Sequence, residues 1–97
     1  MHDSATVEAA LAAIRKGSFH SPAEPDVGRV EASFDAEVVR QDETKLVLEV
    51  HVYVTCDEDD QEYASILARE EWWSQISSAL YEQLGVVVEV DAFRLYW

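Results

Sequence analysis

The side chains able to do chemistry in this sequence are mostly carboxylates, and their spacing is regular. Between positions 29 and 40, Glu31, Ser33, Asp35 and Glu37 alternate with Val30, Ala32, Phe34, Ala36 and Val38. Between 45 and 56, Val47, Glu49, His51, Tyr53 and Thr55 alternate with Leu46, Leu48, Val50, Val52 and Val54. A strand turns successive side chains to opposite faces, so each run reads as a strand with one apolar and one polar face. From position 86, Val86, Val88 and Val90 oppose Val87, Glu89 and Asp91. Side by side, the three strands would gather Glu31, Asp35, Glu37, Glu49, Glu89 and Asp91 on one outer face, with His51, Tyr53 and Thr55 among them. Carboxylates on adjacent strands lie several Å apart, a spacing comparable to that of phosphates. Such a face would fit a basic groove that takes nucleic acid on another protein. An ordinary solvated sheet face has the same composition.

A second acidic group is contiguous: Asp57, Glu58, Asp59 and Asp60, followed by Glu62. Its first carboxylates resemble the start of a calcium loop. The glycine needed at the sixth loop position is replaced by Glu62, and the twelfth position is Ala68 where a bidentate glutamate is required. Acids opening a helix explain the run without a metal. His2, His20 and His51 have no ligand spacing. His51 shares a face with Glu49 and with carboxylates of a neighbouring strand, a conceivable metal or acid–base site. Cys56 sits beside four acids, which raise a thiol pKa and disfavour a nucleophilic role. There is no glycine-rich phosphate loop, no nucleophile elbow and no Cys/His metal cluster. No catalytic residue, metal ligand set or cofactor is therefore assigned.

The remaining signal is aromatic. Trp72 and Trp73 are adjacent on a helical run and point about 100° apart, so one faces the sheet and the other the flank. Tyr63, Trp73, Ser77 and Tyr81 recur as a second stripe, in which Trp73 and Tyr81 are candidate anchors for a partner. Cover by the first helix or by the Phe93–Trp97 segment would remove them from the surface.

Charge narrows the partners. Twenty acidic residues against seven basic ones give a formal charge of −13. Nucleic acid and anionic membranes both need clustered Lys and Arg, so neither is expected as a direct partner. A basic protein is the expected one, through electrostatic steering and occlusion of its basic surface, in the manner of an inhibitor or immunity protein. A halophilic source would produce the same acidity, and a structural subunit acting through homo-oligomerisation is the alternative reading. The lone Cys56 excludes an internal disulfide, and no signal-like or membrane-length apolar segment is present, which makes a cytoplasmic protein the expectation.

The elements that must position these residues form one α+β domain over 1–97, in the order α-β-β-α-β. A helix over 4–16 is capped by Asp3 or Ser4, carries Val7, Leu11 and Ile14 on one face, and stops at Gly17. Residues 17–28, with two prolines and two glycines, are expected to be a loop. Strands over 29–40 and 45–56 form a hairpin about the polar turn 41–44. A long helix over 59–84 places Ile66, Trp73, Ile76, Leu80 and Leu84 near one face, widened by Leu67, Trp72 and Ala79, and ends at Gly85. The third strand, 86–96, loses its phase after Ala92, which a bulge near Asp91 or an end buried on both faces would explain. The expected sheet is three-stranded and mainly antiparallel, in order 2-1-3, with the long helix packed on one face. The alternative sets the third strand parallel beside the second.

Overall fold

The computed structural model describes residues 2–97. Helix α1 covers Ser4–Arg15, and Asp3 caps it, its carboxylate accepting from the Thr6 amide at 2.8 Å. Ala10 and Ile14 are its fully buried positions. Instead of forming only a loop, the following segment contributes a short strand, β1, Ser18–Ser21. Strand β2 runs Val30–Asp42 and strand β3 Lys45–Thr55, joined by a tight turn in which Glu43 adopts a left-handed conformation (φ 54°). Even-numbered residues from Val30 to Ala36 and from Leu46 to Val54 are buried, as the alternation requires. Val47, expected on the outer face, is buried as well, outside the main core cluster.

The long helical stretch is not one continuous α-helix. A 3₁₀ turn at Glu58–Asp60 leads into α2, Gln61–Ile66, then a π-helical segment, Leu67–Trp72, and α3, Trp73–Leu84. Gly85 closes it in the left-handed conformation (φ 66°). The buried residues Ala64, Ala68, Trp72, Ile76 and Leu80 are spaced by four. In a regular α-helix each step of four drifts by about 40°, and four steps would carry Leu80 about 160° away from Ala64. The wider π turn absorbs that drift, keeping these residues towards the sheet. Trp72, on the widened margin of the expected face, is the buried tryptophan, whereas Ile66, 50% exposed, and Leu84, at the surface, fall outside the face expected for them.

Strand β4, Val87–Tyr96, corrects the sheet. The sheet has four strands in the order β1-β2-β3-β4, and β4 lies parallel beside β3, not antiparallel beside β2. The free side of β2 is already occupied. β1 pairs with its first residues, and the Phe34 amide donates to the Gly17 carbonyl at 3.2 Å. α1 runs along the rest, with His2 at Gln41 and Thr44 and Arg15 at Asp35. A parallel pair needs a long crossover, and the segment from α2 to α3 is that crossover. The bulge expected near Asp91 is present: Leu48 faces Val90 and Glu49 faces Ala92, leaving Asp91 unmatched. Both helices pack on one sheet face over a single core, where Phe19 stacks on Trp72 and Phe34 on Trp73.

Candidate functional site

The opposite sheet face carries no helix. The β2–β3 register aligns Glu31 with Thr55, Ser33 with Tyr53, Asp35 with His51 and Glu37 with Glu49. β1 adds Ser18 and His20 beside Ser33 and Glu31. On β4 the bulge turns Phe93 and Leu95 towards the core and leaves Ala92, Arg94 and Tyr96 facing Glu49, His51 and Tyr53.

These residues interact closely. Tyr53 and Tyr96 stack with ring centroids 5.1 Å apart and 18° between planes, and both are exposed, at 52% and 40%. His51 also stacks on Tyr96, with centroids 5.7 Å apart, and its Nδ1 lies 2.8 Å from the Tyr96 hydroxyl. His51 Nε2 is 3.8 Å from Glu49 Oε1. Arg94 donates to Glu49, which raises the guanidinium pKa still further. Arg15 reaches over from α1 to Asp35 (2.6 Å). That bond, helped by the Ala36 amide at 2.8 Å, holds the Asp35 carboxyl below its ordinary range.

The sheet face is therefore less naked than its composition suggests. Glu31 pairs with Arg29 (2.8 Å), Asp35 with Arg15, Glu49 with Arg94 and Glu89 with Lys45 (3.9 Å). Among the described residues, Glu37 and Asp91 have no basic partner on this face. Glu31, Asp35, Glu37, Glu49, His51 and Tyr53 form one group. Glu89 lies at the far end of the sheet and Asp91 on the bulge. Tyr96, Arg94 and Arg15 belong to the group and were not singled out from the sequence. The phase change at Asp91 was the available signal for the first two.

The second acidic group lies elsewhere. Glu24-Pro25-Asp26-Val27 forms a tight turn closed by the Glu24 amide on the Val27 carbonyl at 2.7 Å. With Asp57, Asp59 and Asp60 it lines a shallow acidic cleft, while Glu58 is exposed beside it. The Gly28 amide donates to Asp60 Oδ2 at 3.0 Å. A Cβ at Gly28 would stand 2.7 Å from an Asp57 oxygen and 2.8 Å from an Asp60 oxygen, so any larger residue there must push these two carboxylates aside. Burial, then Asp60 and Asp57, push the nearby Cys56 thiol up, keeping it protonated and unreactive. Of the aromatic candidates, Trp73 is half-buried against Phe34 and Phe93, and Tyr81 is 63% exposed.

Among the described residues, no helix is long and apolar enough to cross a membrane. No protein-family model, curated protein or solved structure matches this chain.

Proposed function

We propose that the chain is a protein-binding module that seats a basic surface of a partner protein on the open face of its sheet. One observation carries this reading: an exposed Tyr53–Tyr96 stack bordered by the carboxylates of Glu31, Asp35, Glu37 and Glu49. Tyrosines with an apolar body and a polar tip are common energetic anchors of interfaces. The surrounding carboxylates and the charge of −13 favour arginine- and lysine-rich surfaces and repel polyanions. Where the covered surface is one that binds nucleic acid, the module acts as an inhibitor by occlusion. The cleft of Asp57, Glu58, Asp59 and Asp60 adds long-range attraction on another side.

The test is a nuclear magnetic resonance titration of the full chain with a synthetic arginine-rich peptide. Amide shifts at Asp35, Tyr53 and Tyr96 are expected, with affinity falling as salt rises. Tyr53→Ala and Glu37→Lys should each weaken binding about tenfold, the scale of an interface anchor. The remote Glu82→Lys should leave it nearly unchanged. Shifts confined to residues 57–60 would reject the sheet face as the contact.

A second reading, self-association, has one observation behind it. β4 is a ten-residue strand with a free edge, near which Tyr81 and Val87 are exposed. Light scattering at high protein concentration decides it, and a strict monomer removes it.

A further inference from the structure

We infer that Glu37, Glu49 and His51 form a binding site for a first-row divalent cation, with Zn²⁺ the closest match. One donor atom from each lies within 4.8 Å of the others. The register brings them together, setting Glu37 against Glu49 and Asp35 against His51 on the same face. The set is one imidazole and two carboxylates. Imidazole favours zinc and its transition-metal neighbours over Ca²⁺ and Mg²⁺, which prefer all-oxygen surroundings.

A second observation points the same way. His51 Nε2 is shut off from solvent and has no hydrogen-bond partner among the described residues. The other ring nitrogen is engaged, with Nδ1 2.8 Å from the Tyr96 hydroxyl. Histidines that bind metals use this division: one nitrogen coordinates while a hydrogen bond to the other fixes tautomer and ring orientation. With Nδ1–H donating to the Tyr96 oxygen, Nε2 carries the lone pair, 3.8 Å from Glu49 Oε1. Two ligand atoms on one tetrahedral zinc sit about 3.3 Å apart, so this pair must close by only about half an ångström. Glu37 is exposed and has no basic partner among the described residues, so its carboxylate is free to swing inward. Asp35 is held by Arg15 and stays outside the set. Arg94 already bonds that same Glu49 oxygen, so the cation must take the second oxygen of Glu49 or displace the arginine. Three protein ligands leave a fourth position for water or for a donor from another molecule.

The test titrates the full chain with zinc chloride near neutral pH. It follows the heat of binding together with the ¹⁵N resonances of the His51 ring. The expected result is one tight equivalent in the micromolar range, with Nε2 shifting far more than Nδ1. His51→Gln and Glu37→Gln should each weaken binding at least tenfold, while Asp59→Asn should not. Unchanged metal-free melting would show that the variants are folded, and the ring resonances of the unaltered chain decide the matter if they are not. Absence of a ring shift overturns the site. So does equal affinity in His51→Gln, or weak binding at several equivalents that Asp59→Asn reduces as much. The cation needs no protein partner, so this result is independent of the peptide titration above.

Discussion

Arg94 faces His51 across the β3–β4 ladder but bonds Glu49, the neighbour one rung back on the same face. That bond depends on Asp91 bulging out of the ladder. Were Asp91 paired with Glu49 in regular alternation, Arg94 and Tyr96 would fall on the core side, and Phe93 and Leu95 would turn to solvent.

Deleting Asp91 should consequently be tolerated: Ala92 then follows Val90 and still faces Glu49, and Phe93 and Leu95 keep the core side. Inserting an alanine between Ala92 and Phe93 instead slips the end of the strand by one residue. That exchanges two apolar side chains for an arginine and a tyrosine at core positions, and an unpaired buried charge is costly. We expect a loss of about 3 kcal/mol or more for the insertion, and about 1 kcal/mol or less for the deletion. Urea denaturation of the two variants gives the comparison.

The two adjacent tryptophans should separate in the same experiment. Trp72 is 6% exposed and stacks on Phe19 at 5.6 Å, so Trp72→Ala should cost about 3–5 kcal/mol. Trp73 is only half-buried, and Trp73→Ala should cost less. Tyr81→Ala, at an exposed position, should fall within about 0.5 kcal/mol of the parent. A larger penalty for Trp73 than for Trp72 would contradict the π-helical phasing.

The Arg15–Asp35 pair makes a prediction about pH. Arg15 depresses the Asp35 pKa in the folded state, so the pair's stabilisation is complete above the ordinary carboxylate value of 3.8. It disappears as the pH falls through the lowered native value. Both side chains are substantially exposed, at 55% and 42%, so solvent screening keeps the effect below about 1 kcal/mol. Arg15→Ala should therefore be slightly less stable than the parent at neutral pH, and the two denaturation curves should converge in strong acid. A difference that persists there would point to lost packing of the arginine stem instead.

Much of this architecture was legible in the sequence. The period of two in β2 and β3 assigned Glu31, Asp35, Glu37, Glu49, His51 and Tyr53 to one face because a half-buried strand permits no other arrangement. Asp3, Gly17 and Gly85 marked helix ends for similarly local reasons. What escaped depended on non-local competition. Ser18–Ser21 is too short and polar to announce a strand, and becomes one because the edge of β2 beside it is open. Its pairing, with α1 alongside, then leaves β4 only the far side of β3. The π turn likewise answers to the sheet beneath it, since no residue between Leu67 and Trp72 requires it. The ion pairs of the site join residues as distant as Glu49 and Arg94, so charge counted along the chain overstated the bareness of the face.

Five of the seven cationic side chains, Arg15, Arg29, Arg40, Lys45 and Arg94, are already bound to the chain's own carboxylates. On the sheet face a partner guanidinium arriving at Asp35 or Glu49 must displace Arg15 or Arg94. Docking there becomes an exchange of ion pairs, in which the number of pairs is conserved and the evicted arginine swings out towards acids on the incoming surface. The electrostatic gain per contact is then smaller than the net charge implies. Discrimination among basic partners would rest on how well each one's arginine geometry outcompetes the resident side chains.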